Sequence, residues 1–214
     1  IHTKKFDGIS NGLLGGLGLS GIQGTAPGFR DAKNPSLDEL RINTIYANYT
    51  ALINQKDGQF GVVYGPKDDT KFAGTEYLTF AGVGLNKATL MVQIPKNFNQ
   101  KEPCIVAAPS SGSRGVYGAI GTSGAWAIAK GCVVAYTDAN KGTGAVDLSQ
   151  GKGYGILHNA LPLDTQEELA FRVPSTKIIS PTSHEYGNIT LPSPEQIDAF
   201  INTNPNRYAF KHDH

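Results

Sequence analysis

Residues 104–137 read CIVAAPSSGSRGVYGAIGTSGAWAIAKGCVVAYT, and this stretch decides the fold. Cys104-Ile105-Val106-Ala107-Ala108 and Cys132-Val133-Val134-Ala135-Tyr136 are short apolar runs bounded by turn residues, which is how buried strands read. The segment from Val116 to Lys130 between them reads as a helix. Strand, helix and strand in this order make a β-α-β unit with two parallel strands, whose first residues share one end of the sheet. If the strands are neighbours, Cys104 and Cys132 come within bonding range. Two small buried hydrophobes are the alternative reading of the same cysteines. A disulfide, if formed, favours an oxidising compartment.

Working toward the N-terminus, Glu76 to Phe80 and Ala88 to Ile94 alternate and are close enough for an antiparallel pair, with Pro95 ending the second. Gln59 to Tyr64 has strand character too. Ser36 and Glu39 form a capping box that opens a helix, with Leu37, Leu40, Ile45, Tyr49, Leu52 and Ile53 at helical spacing. Tyr46 and Tyr49 on this helix suit core packing better than a ligand groove. Residues 1–35 are glycine-rich, and NGLLGGLGL at 11–19 lacks a sustained period. It matches neither a dinucleotide fingerprint nor a phosphate loop, because no strand precedes it and no Gly-Lys-Ser/Thr follows. Residues 1–35 therefore read as an apolar arm packed over a domain at 36–214. Beyond Gly142 the chain is rich in Gly, Pro and Asn, as a long excursion over one face would be. Ser193, Pro194 and Gln196 then start a helix through Ile197, Phe200 and Ile201. Antiparallel entry strands followed by β-α-β predict an α/β domain with a mixed, mainly parallel sheet covered on both faces.

The 214 residues are 39% apolar and 17% charged, with net charge +1. No like-charge run recruits nucleic acid or an anionic membrane, and no apolar stretch approaches the ~20 residues of a membrane span. The chain opens at Ile1, as a processed or trimmed product would.

The chemistry centres on the turn after the first parallel strand, Ser110-Ser111-Gly112-Ser113-Arg114. Ligands bind α/β sheets beyond the carboxyl ends of their strands, and small residues let backbone N–H groups face a ligand. Such donors can hold the oxyanion of an acyl-transfer intermediate. A plain β-α turn is the simpler reading of the same composition. Arg114 can bind a substrate carboxylate or tie the loop down. No nucleophile elbow is evident: Gly121-Thr122-Ser123-Gly124-Ala125 approximates one, but Ser123 falls within the helix, and no G-x-S-x-G frame surrounds Ser111 or Ser113. His2, His158, His184, His212 and His214 are scattered, so no metal or cofactor site is expected. Asp138 stands on the same rim as the loop, where capping a turn is its commoner role.

The run PCIVAAPSSGSRGVYGAIGTSGAWAIAKGCVVAYTDANKGTG, residues 103–144, closely resembles the hydrolases of D-3-hydroxybutyrate oligomers. The likeness extends to ELRINTIYANYTALIN, Tyr64-Gly65-Pro66, TLMVQIP and the terminal RYAFKH, and is weakest around 150–190. Val146 departs from the family pattern, which has histidine there. The resemblance implies an α/β-hydrolase-type sheet, incomplete in this chain, in a secreted or periplasmic serine esterase. It also implies a nucleophile beyond His214, so the chain supplies the oxyanion loop and no triad member. A strand left without its neighbour exposes unpaired backbone groups, so strand 132–136 is expected to pair with the C-terminal remainder of the protein. A non-catalytic binding module for short polyesters is the alternative from another class. A self-sufficient hydrolase using Ser113 or Ser123 is a third.

Overall fold

The computed structural model describes residues 1–50, 65–83, 86–111, 114–140, 142, 146–147 and 151–170. Strand β1 (His2–Phe6) is followed by helices α1 (Gly18–Gln23) and α2 (Leu37–Thr50). Strands β2 (Gly74–Val83), β3 (Asn86–Pro95) and β4 (Ile105–Pro109) come next. Helix α3 has π geometry over Ile120–Gly124 and α geometry over Ala125–Ala129, and it leads into β5 (Val133–Thr137). Three short strands, β6 (Val146–Asp147), β7 (Lys152–Tyr154) and β8 (Ala160–Pro162), close the described part.

The main sheet has the order β1-β2-β3-β5-β4, and β6-β7-β8 form a separate small sheet. The main sheet is mixed, but among the described residues it is not mainly parallel. β1–β2, β2–β3 and β3–β5 are antiparallel, and only β4–β5 is parallel. Lateral order also corrects the expectation for strand 132–136. β5 lies between β3 and β4 and is paired on both sides, so of these two strands it is the earlier, β4, that stands at an edge of the sheet among the described residues. The chain leaves β3, skips one position to lay down β4, and returns through α3 to fill the gap.

The alternation along the strands splits the sheet into two faces. Glu76 and Leu78 pair with Gln93 and Met91, which pair in turn with Val134 and Tyr136, and these with Val106 and Ala108. This face packs against all three helices: Ile22 of α1, Ile45 and Tyr49 of α2, and Ile120, Ala127 and Ile128 of α3 join Leu78, Met91, Val134 and Tyr136 in one apolar cluster. The other face carries Tyr77, Val92, Ala135 and Ala107 in one row and Ile105 beside Val133 in another. It is half open, with Ile105 71% exposed and Tyr77 38% exposed, and these apolar rows share it with Thr75, Thr79 and Thr137. The three described helices thus cover one face, not both.

Helix α2 starts as its sequence dictates. The Ser36 amide donates to Glu39 Oε2 (2.8 Å) and the Glu39 amide to Ser36 Oγ (3.3 Å), a reciprocal capping box. Tyr46 and Tyr49 are buried, and Tyr46 donates to the Gly24 carbonyl. The N-terminal arm departs from its expected role as a cover. His2–Phe6 is one of the two edge strands of the described sheet, and Leu13 and Leu14 sit inside the core. The expected strand at 59–64 and helix after Ser193 lie outside the described residues.

A buried polar cluster locks α2 to the packed face. Arg41 donates from Nε to Glu76 Oε1 (3.0 Å) and from Nη2 to Glu76 Oε2 (2.6 Å) and to the Leu13 carbonyl (2.8 Å). Gln93 Nε2 donates to Glu76 Oε2 and to the same Leu13 carbonyl, and Tyr136 donates to Gln93 Oε1. Phe6 and Tyr117 flank the guanidinium at 4.3 and 5.9 Å. Charges this deep are tolerable only when every lobe is satisfied. Helix α3 passes close above Tyr136 because Gly124 has no side chain; a Cβ there would strike the Tyr136 hydroxyl.

Candidate functional site

Because β4 and β5 are parallel and in register, Pro109 beside Thr137, their carboxyl ends open on one rim. The turn Ser110 to Gly115 leaves β4 there and Asp138 to Asn140 leaves β5. Ser110 is buried, and its amide donates to the Thr137 carbonyl at 2.8 Å, extending the parallel ladder by one bond. That N–H is therefore committed to the sheet and is not a donor for a ligand. Ser110 instead anchors the turn: its Oγ lies so close over Gly118 that a Cβ at that glycine would collide with it. Ser111 is the first exposed residue beyond the anchor. Gly112 and Ser113 lie outside the described residues. Arg114 is half-buried, and Gly115 turns the chain with φ +72°, a left-handed conformation that glycine adopts without strain.

The other side of the rim is held under backbone strain. Ala139 and Asn140 both have positive φ, 51° and 63°, a rare state for an alanine and costing on the order of 1–3 kcal/mol. Asp138 holds this turn in place. Its side chain is fully buried, and Oδ1 accepts from the Thr89 amide (3.0 Å) and from the Asn140 amide (3.0 Å). Asp138 thus ties β3, β5 and the strained turn together, the capping role its residue type favours.

The disulfide sits at the opposite end of the same two strands. Cys104 and Cys132 are bonded, with Cα atoms 4.7 Å apart, and the Val133 amide donates to the Cys104 carbonyl. It clamps the amino ends of β4 and β5 while Ser110 clamps the carboxyl ends. Closing a loop of this length is worth roughly 3–4 kcal/mol in the chain-entropy model.

Ser123 lies within the π-helical part of α3, with its hydroxyl 3.4 Å from the Ala119 carbonyl, away from any strand end. His158, read only as one of five scattered histidines, is placed unusually. It occupies the β7–β8 turn with φ +66° and stacks on Tyr117 at a ring separation of 5.6 Å. It is buried, and its Nε2 has no hydrogen-bond partner among the described residues. Burial, aided by the nearby Arg41 charge, pulls its pKa down to about 4, so it is neutral at pH 7. Nothing in its neighbours along the chain signals this burial. Among the described residues no group of His, Cys, Asp and Glu is placed to hold a metal. No described helix is long and apolar enough to cross a membrane.

Comparison with known proteins gives this geometry a context. A family model described as 3HB-oligomer hydrolase matches residues 1–214. A D-(-)-3-hydroxybutyrate oligomer hydrolase of Burkholderia cenocepacia is 40% identical over the whole chain, which spans 30% of that relative's length. Its namesake in a Polaromonas species is 41% identical with the same coverage. One in Albidiferax ferrireducens is 47% identical over 69% of this chain and 23% of its own length. The chain thus spans about 30% of the length of the relatives it matches throughout. No solved structure matches it.

Proposed function

The chain belongs to the 3HB-oligomer hydrolase family, and from that membership we propose that it is the N-terminal part of a serine esterase cleaving D-3-hydroxybutyrate oligomers. In this reading it carries the oxyanion loop and part of the substrate cleft, while the nucleophile belongs to further polypeptide. The observation that carries the proposal is the position of Ser111: the first exposed residue beyond β4, an edge strand among the described residues, on a rim fixed by Ser110 and Asp138.

An oxyanion hole of the α/β-hydrolase type takes one N–H from the residue after the nucleophile and one from a loop following an earlier strand. A further parallel strand added beside β4, which has one neighbour among the described residues, would end beside Ser111, where a serine elbow must stand to share an oxyanion with this loop. The half-open face holding Ile105 and Tyr77 supports the same reading. In the parallel pair, Ile105 and Ala107 of β4 and Val133 and Ala135 of β5 are apolar on the side the described helices leave open, as strands covered on both sides are, so in this reading a second layer there comes from the C-terminal remainder.

The chemistry is acyl transfer. A serine of the remainder attacks the ester carbonyl, a histidine takes its proton, and an acid orients that histidine. The carbonyl oxygen gains negative charge as the tetrahedral intermediate forms, and the amides from Ser111 onward steady it. One such donor is worth roughly 3–4 kcal/mol. No cofactor is required. The disulfide suits an oxidising compartment, and we place the protein outside the cytoplasm, secreted or periplasmic.

The test uses protein that includes the remainder. Ser111→Pro deletes the first free N–H, while Ser111→Gly keeps it. The proline variant is expected to lose ~10²-fold or more in kcat with KM little changed, and the glycine variant to stay near the parent. Equal activity in all three would remove the loop from the mechanism. It would favour the rim as a binding surface for short polyesters only.

A further inference from the structure

Helix α3 runs from the rim back toward the disulfide end of the sheet, and its outer side forms one wall of a groove of about 560 Å³. That size lies within the range of small-molecule sites, roughly 300–1,000 Å³. Thr122, Trp126 and Ala129 make the exposed stripe of the helix, four and then three residues apart. The opposite wall is the segment from Gly65 to Phe72, which is well pinned. The Gly65 amide donates to the Gly121 carbonyl, the Leu19 amide to the Asp68 carbonyl, and the Leu13 amide to the Phe72 carbonyl, all at 2.9–3.0 Å. The Ser20 amide donates to Asp69 Oδ1 at 2.8 Å. The groove is therefore built by the fold and is not a gap between loose loops.

Its lining has a definite chemistry. Trp126, the chain's single tryptophan, is 54% exposed on the wall, and an indole in that position is a ready anchor for an apolar ligand. Phe72 adds apolar surface. Among the described lining residues Lys67 and Lys130 are the cations and Asp68 is the one acid. Asp68 already accepts the Thr70 amide. The described lining is thus net positive beside an aromatic wall.

We infer that this groove is a second ligand site, taking a short apolar chain that ends in a carboxylate, namely a D-3-hydroxybutyrate oligomer held by its free acid end. The methyl and methylene groups lie on Trp126 and Phe72, and the carboxylate faces Lys67 and Lys130. A carboxylate-ended apolar chain follows from the groove itself; its identity as a hydroxybutyrate oligomer rests on the proposed function. The site is separate from the rim, because Lys130 stands two residues before Cys132, at the amino end of β5.

The lone tryptophan supplies the readout. Emission of Trp126 is followed in this chain while the D-3-hydroxybutyrate trimer, its methyl ester and hexanoate are titrated separately. The trimer is expected to cause a saturable blue shift. Binding should weaken about fivefold or more for the methyl ester and in the Lys67→Gln/Lys130→Gln variant, and again at high salt. Both lysines are exposed, so the substitutions leave the fold in place. Emission unmoved by trimer and hexanoate alike, or moved equally by acid and ester, would overturn the site. A response to hexanoate but not to trimer would overturn the oligomer as occupant. In protein that includes the remainder, acrylamide should still reach a tryptophan that is lost in Trp126→Phe. If that substitution leaves quenching unchanged, the groove is a covered interface and the inference is wrong. Ser111→Pro should leave trimer binding intact, which separates a failure here from a failure at the rim.

Discussion

The two faces of the main sheet are built from the same strands and are finished differently. On one, Leu78, Met91, Val134 and Tyr136 are nearly or wholly buried beneath three helices, around the Arg41–Glu76 pair. On the other, Ile105 and Tyr77 stand half open among apolar residues and threonines. The difference separates a face that the described helices finish from one that they leave half open. An apolar residue left in water gains nothing locally and makes sense when another layer removes it from solvent.

The largest effect expected from this comparison is on the packed face. Glu76→Ala strands the Arg41 guanidinium in the core without its partner and should cost about 3–5 kcal/mol, read by urea or thermal unfolding. A loss below about 1 kcal/mol would mean that the cluster is not what fixes α2 to the sheet.

A smaller effect concerns His158, which covers Tyr117 from the β7–β8 turn. Its folded pKa of about 4 lies below the ordinary 6.5. Between those values the unfolded chain binds a proton that the folded chain refuses. Stability is therefore unaffected by this group above about pH 6.5 and falls as pH drops toward 4, by roughly 3 kcal/mol in all. Glu39, held down to about 2 chiefly by the Arg30 amide, acts only below its unfolded value of 4.5, so the two windows separate. His158→Asn, whose side chain tolerates the left-handed backbone, should flatten the pH 4.5–6.5 limb of a melting-temperature profile. An unchanged slope there would place the loss elsewhere.

The smallest effect belongs to the open face. Ile105→Asp should alter the stability of this chain by less than about 0.5 kcal/mol, because that side chain is already in water. The same change should weaken association with the remaining polypeptide, read by co-purification. Strong destabilisation of the chain alone would show that the face is already covered.

How much of this could be read from the residues follows from what local patterns encode. The apolar runs at 104 and 132 mark β4 and β5, and Ser36 with Glu39 marks the start of α2, because periodicity and capping are local properties. Strand β1 was hidden: His2-Thr-Lys-Lys-Phe6 has one apolar residue, since an edge strand buries little. Lateral order was hidden too, because chain order does not say that β5 enters between β3 and β4. The strands at 146–162 are two or three residues long, too short for a period. At the site, a glycine-and-serine turn announces free amides, but the Ser110–Thr137 bond that removes one of them depends on strand register.

The most direct measurement is hydrolysis of the D-3-hydroxybutyrate trimer by this chain alone and then together with the remaining polypeptide. The proposal predicts no turnover by the chain, and ester cleavage only once the strand beside β4 and its serine are supplied. Sustained turnover by residues 1–214 on their own would contradict it, because the nucleophile would then lie within this chain.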